Sequence, residues 1–135
     1  YLPCPPNPPS AVASIRAQPG SVGDIAVIDV GYNDWAQVYG VEEAITALRA
    51  RGVRRIVWMI LREAQPGYGS INAMIRAAAR RHPGLIQVAD WNAASRGVGG
   101  FAADGVHLSG NSAIDALAGF VHDEVGKAAQ ALEAR

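Results

Sequence analysis

Cysteine is nearly absent. Cys4 stands alone in 135 residues, so no disulfide closes within the chain, and its thiol is either free or paired outside it. Lysine is as scarce, with Lys127 set against 11 arginines. The 12 basic and 12 acidic side chains cancel, and no basic stripe interleaved with aromatics appears, so nucleic acid is not an expected partner. No run reaches the ~20 consecutive apolar residues that span a bilayer, and no basic amphipathic helix suggests binding to a membrane surface. HExxH pairs and clustered cysteines are missing too, so neither a metal nor another cofactor is expected.

What remains is a globular composition. Half the residues are hydrophobic and 18% are charged, enough apolar surface for one ordinary domain and too little charge for disorder. Five prolines crowd Tyr1 to Pro9, an extended entry segment set apart from a domain over residues 10–135. Ser10 is placed to cap a short helix that Pro19-Gly20 stops. Ile25 to Val30 is a nearly continuous apolar run, the pattern of a strand covered on both faces. Val41, Ala44, Ile45 and Leu48 recur at helical spacing before Gly52. A second buried strand is expected over Ile56 to Leu61 and a third over Leu85 to Ala89. Ser70 is expected to open the helix between them, with Ile71, Met74, Ile75 and Ala78 inward. After a polar loop, Ser109 is expected to cap a last helix that turns Ile114, Leu117, Ala118 and Val121 to one side. Strands alternating with helices imply a parallel sheet with right-handed crossovers, whose ligand site lies beyond the carboxyl ends of the strands.

Two segments carry chemistry. Asp104-Gly105-Val106-His107 places a carboxylate three residues before an imidazole, just ahead of the last helix. Gly31-Tyr32-Asn33-Asp34 follows the first strand. An acid that orients a histidine, with a carboxamide at a strand end, makes up most of a serine-hydrolase site. The nucleophile is what is lacking: none of Ser10, Ser14, Ser21, Ser70, Ser95, Ser109 and Ser112 sits on a tight strand-to-helix turn beside a base.

These residues resemble the SGNH hydrolases, or GDSL-type esterases. Ile28-Asp29-Val30-Gly31-Tyr32-Asn33-Asp34 is similar to the family's Gly-x-Asn-Asp block, and Asp104-Gly105-Val106-His107-Leu108-Ser109 to its Asp-x-x-His block. The resemblance spans roughly residues 10 to 130. It implies a flavodoxin-like, three-layer α/β/α fold and an ester hydrolase working through an acyl-serine. His107 would be the general base, Asp104 its orienter, and Asn33 the donor to the oxyanion. Gly31, Tyr32 and Trp35, around Asn33, are the expected substrate-binding residues. The family's Gly-Asp-Ser block is not found, since Gly23-Asp24 is followed by Ile25 at the start of a strand. The resemblance therefore implies that the first strands of the fold are missing. An N-terminal portion of the same protein, or another chain, would pair beside strand 25–30 and bring the serine. Small-molecule or glycan esters are the implied substrates, and a secreted or cell-envelope location is expected, otherwise a cytoplasmic one.

Rival readings are plain ones. An SGNH-like module without catalysis, binding carbohydrate or a partner protein, fits the missing serine. Asp104 and His107 also suit a helix entry, and Asn33 suits a turn. Asp29, inside an apolar run, is expected to find a structural hydrogen bond. Asp34 is expected to orient the turn or cap the following helix, His82 to sit at a helix end where a cation favours the dipole, and His122 to lie on the surface.

Overall fold

The computed structural model describes residues 9–34, 36 and 39–134. Most of the proline-rich segment, Cys4 and Trp35 therefore lie outside the described residues. The elements run α1 (Ala11–Ala17), β1 (Ile25–Ile28), α2 (Val41–Ala50), β2 (Arg55–Met59), α3 (Tyr68–Arg81), β3 (Ile86–Ala89), α4 (Trp91–Ala94) and α5 (Asn111–Glu133). The alternation read from the apolar pattern is observed, with α4 added inside the polar loop.

All strand pairing is parallel, in the order β1-β2-β3. The central strand shows why its sequence is apolar throughout. Ile56 and Trp58 enter a core shared with Ile45 and Leu48 of α2 and with Ile71 and Ile75 of α3. Val57 and Met59, alternating with them, enter a second core with Trp91 of α4 and with Leu117, Phe120 and Ala128 of α5. Successive side chains of a strand point to opposite faces, so a run buried on both sides cannot alternate with polar residues. The protein is thus an α/β fold, with helices on both faces of a three-stranded parallel sheet.

Several element ends differ from expectation. β1 stops at Ile28 and β2 at Met59, yet Ile60 and Leu61 stay fully buried. The reason is Asn72 of α3: its Oδ1 accepts the Leu61 N–H at 2.8 Å and its Nδ2 donates to the Leu61 carbonyl at 2.8 Å. A side chain replaces the neighbouring strand, which no backbone periodicity reveals. α3 opens at Tyr68 behind Gly67, whose φ of 98° suits glycine, and Ser70 lies inside the first turn. Ser109 is not the cap of α5 either. Gly110 holds that position, and the Ser109 hydroxyl donates instead to the Gly100 carbonyl at 3.2 Å. Ser10 does cap α1, accepting the Ala13 N–H at 3.1 Å.

The final helix is rotated relative to expectation. Ala113 is fully buried while Ile114 is 48% exposed. Small Ala113 lets the start of α5 press on the loop at Gly100, where a Cβ would fall 2.7 Å from Ser112 Oγ. Among the described residues β1 has a neighbour on one side only. Val22 and Val27 are 37% and 39% exposed there, beside a cavity of about 270 Å³ that Ile15, Ile25 and Leu48 help to line. An unpaired strand edge of this kind presents open N–H and C=O groups to another strand. No helix among the described residues is long and apolar enough to cross a membrane.

Candidate active site

The loop between α4 and α5 folds back on itself through a single bridge between Phe101 and Leu108. At its tip, Asp104 Oδ1 accepts the N–H groups of Val106 at 2.8 Å and His107 at 3.0 Å. Its Oδ2 lies 2.6 Å from His107 Nδ1. The three-residue spacing thus works as a turn: one carboxylate oxygen organises the backbone and the other meets the imidazole. Those two N–H groups and the imidazole hold the Asp104 carboxyl down at about 2, with the Val106 N–H the largest cause.

Gly105 makes this turn possible. Its φ is +72°, and a Cβ there would lie 2.8 Å from Ala64 Cβ, so only glycine fits without a shift. Arg62, beyond the end of β2, donates Nη1 to the Gly105 carbonyl and lies over the Phe101 ring, with Cζ 4.1 Å from the centroid. Gln65 Nε2 donates to the Asp104 carbonyl at 3.4 Å. The loop is thereby docked onto the segment that follows the central strand.

The β1 end approaches from the other side. Tyr32 accepts the Arg62 N–H on its hydroxyl at 2.9 Å, and Tyr68 donates its hydroxyl to the Tyr32 carbonyl at 3.2 Å. The two rings meet edge to face, with centroids 5.2 Å apart and planes at 87°. Burial pushes the Tyr32 phenol up, against the Arg62 N–H, which lowers it.

Asn33, Tyr32, Asp104 and His107 line one cleft of about 450 Å³ beyond the carboxyl ends of the strands. The imidazole and the carboxamide therefore stand on the same side of the sheet and face a common space. A second chamber of about 420 Å³ adjoins it and shares Tyr32, Asn33, Gln65 and Tyr68. Gly31 is buried instead. A Cβ there would sit 3.0 Å from Leu61 Cδ1 and 3.3 Å from Tyr39 Cε2, so this glycine lets the turn pack on the core and lines neither chamber.

Asp29 also borders the cleft. Its side chain makes no hydrogen bond among the described residues, so the expected structural partner is not found; β1 has already ended, and the carboxylate faces the opening. Burial still raises its carboxyl above the ordinary value. Among the described residues the Asp34 side chain makes no hydrogen bond, and its backbone N–H closes the turn onto the Gly31 carbonyl at 3.0 Å. His82 ends α3 as expected and meets Glu42 Oε2 at 2.8 Å. His122 lies on the surface beside Asp123.

None of the seven serines lines the cleft that holds His107; Ser70 borders only the adjoining chamber. Among the described residues no three of His, Cys, Asp and Glu are grouped to hold a metal ion. Arg62, Gln65 and Tyr68 were not legible as site residues, although their position after a parallel strand is where such residues gather. No family model, curated protein or solved structure matches the chain.

Proposed function

We propose that this chain carries the base, orienter and oxyanion donor of an SGNH-type serine ester hydrolase of flavodoxin-like fold. The nucleophilic serine comes from a segment outside residues 1–135, paired along the open edge of β1. One observation carries the reading: a carboxylate-paired imidazole and a carboxamide from a separate strand end line the same cleft.

The chemistry follows from the geometry. Because Nδ1 of His107 faces Asp104, the proton acceptor is Nε2. The serine Oγ attacks the ester carbonyl and yields its proton to Nε2, while the carbonyl oxygen gains the negative charge. Asn33 donates its amide N–H to that oxyanion, and Asp104 stabilises the imidazolium. Collapse expels the alcohol, which leaves with the proton from Nε2. Water then repeats the sequence on the acyl-serine and regenerates the enzyme.

The exposure of Val27 on β1, and of Val22 just before it, supports the second half of the proposal. A parallel strand in an α/β sheet is ordinarily paired and covered, and an apolar one left open is a template for another strand. Turnover of para-nitrophenyl acetate by this chain, alone and joined to its upstream coding sequence, tests the reading. The joined form should hydrolyse the ester and react at a serine with a fluorophosphonate. A joined form that is folded, inactive and unlabelled would overturn it.

The rival reading is a non-catalytic binding module. It is favoured by the absence of any serine from the cleft among the described residues, and the same unlabelled outcome would select it.

A further inference from the structure

The cleft that holds His107 contains a charge that the hydrolytic steps do not use. Asp29, one residue beyond β1, borders it. Its carboxylate makes no hydrogen bond and no ion pair among the described residues. Asp29 is exposed to the opening, yet the walls remove enough water to raise its carboxyl above the ordinary value, and no cation holds it down. An anion partly stripped of water and left without a counter-ion is costly, and a positive ligand relieves that cost. Asp104, the other carboxylate in the cleft, is already committed to the imidazole and to two backbone N–H groups.

No Lys or Arg side chain lines the cleft among the described residues, and residues 1–8, 35, 37 and 38 include neither type. Arg62 is spent on the Gly105 carbonyl and the Phe101 ring. The wall is aromatic as well as anionic, since Tyr32, Tyr68 and Trp91 all border it. The two tyrosines hold each other edge to face and give their hydroxyls to backbone groups. Trp91 is held against Phe101 and Phe120, with centroids 6.4 and 5.5 Å away. Rings fixed in this way cost little further ordering when a ligand arrives. Aromatic surface attracts a cation through the ring quadrupole and covers its alkyl groups at the same time. An anionic ligand would be repelled by the same carboxylates.

From these observations we infer that the cleft selects a cationic ester: a small alkylammonium group sits between Asp29 and the aromatic rings, with the ester carbonyl beside His107 and Asn33. Both parts of such a molecule fall within one cleft of about 450 Å³. The inference rests on the proposed ester hydrolysis for the reaction, and names its substrate class. Binding of the ammonium itself needs no nucleophile.

The test is chemical-shift mapping on the full 135-residue chain, titrated at low salt with choline and with its uncharged carbon isostere, 3,3-dimethyl-1-butanol. Choline should shift the Trp91 indole N–H and the amides of Asp29 and Leu108 in a saturable way, and bind about tenfold more tightly than the isostere. Asp29→Asn, a change at an exposed position, should weaken choline about fivefold and leave the isostere unaffected. Phosphocholine separates a lipid headgroup from a free ammonium. Its phosphate opposes the two carboxylates, so it should bind more weakly than choline. Equal affinity for choline and its isostere, choline binding indifferent to Asp29→Asn, or a preference for phosphocholine would each overturn the inference. In the serine-complemented protein, acetylcholine should be hydrolysed with a higher kcat/KM than 3,3-dimethylbutyl acetate. Choline binding in a complemented protein that turns over no ester would sink the hydrolase reading and leave the cation site standing. Ester turnover with no preference for the charged substrate would do the reverse.

Discussion

The guanidinium of Arg62 lies 4.1 Å from the centre of the Phe101 ring while its Nη1 donates to the Gly105 carbonyl. One side chain at the end of the central strand thus grips both the base and the tip of the loop that carries His107. A planar, delocalised cation can stack on a ring and hydrogen-bond in its own plane together, and an ammonium cannot. Arg62→Lys should keep the charge and lose the grip. Within the loop, the Ala102 N–H bonded to the His107 carbonyl at 2.8 Å and the Gly105 N–H bonded to the Ala102 carbonyl at 2.9 Å should then exchange with solvent faster than in the parent. Unchanged exchange at both would show that the bridge between Phe101 and Leu108 holds the loop without Arg62.

Asp104 has two separable duties, one to the backbone turn and one to the imidazole. Asp104→Asn keeps an oxygen for the turn but removes the anion opposite Nδ1. In the serine-complemented enzyme, kcat should fall by about 10⁴, the loss known for such a change in another serine hydrolase. His107→Ala should fall as far. If Asp104→Asn lost less than about tenfold, the carboxylate would be a turn residue alone.

The same carboxyl gives a pH signature whose sign is fixed. Its folded-state pKa, about 2, lies below the unfolded value, so its contribution to stability is present above the unfolded value and is lost as pH falls through the folded one. The loop should therefore stay ordered down to mildly acidic pH and loosen between the ordinary carboxyl range and about 2. The carboxyl carbon of Asp104, followed by NMR, should titrate in that window. A midpoint near the ordinary aspartate value would mean the Val106 and His107 N–H bonds are absent in solution.

Asn33 is proposed to meet charge that exists only in the transition state. Asn33→Ala should lower kcat by about 100- to 1,000-fold and change KM little. A rise in KM at constant kcat would make Asn33 a ground-state contact, as a pure sugar-binding role requires.

How far the sequence reached differs between the two halves of this site. His107 and Asp104 were legible because their interaction is local: three residues, one glycine and a backbone turn generate it. The strands were legible because Ile56 to Leu61 is apolar without interruption, which only a doubly covered strand explains. Arg62, Gln65 and Tyr68 were hidden because their partners lie between 30 and 43 residues away, and an arginine after a strand reads as solvent-exposed until the loop that covers it is known. Ile114 misled for a similar reason. Alanine at 113 permits a closer approach than leucine-like spacing suggests, and the inward stripe shifts by one residue. β1 stands at one edge of the described sheet, and Val22 and Val27 are exposed beside it.

Asn72 offers the sharpest test of how the site is supported from below. It is 2% exposed and gives its whole carboxamide to the chain that leads into Arg62. Leu61 N–H donates to Oδ1, and Nδ2 donates to the Leu61 carbonyl and, at 2.9 Å, to Glu63 Oε1. β2 has ended by then and Leu61 is fully buried, and among the described residues no other group pairs with these two backbone groups. Asn72→Ala strands a buried donor and a buried acceptor together, and should destabilise the protein by about 2–5 kcal/mol. Asn72→Asp is the informative partner. It keeps an acceptor for the Leu61 N–H but turns an oxygen toward the Leu61 carbonyl and Glu63, so it should be nearly as damaging as alanine. Urea unfolding of both variants, at unchanged m-value, measures this. If Asn72→Asp were as stable as the parent, the carboxamide would not be bridging the strand end, and the path from α3 through Leu61 to Arg62 and the loop that carries His107 would lose its first link.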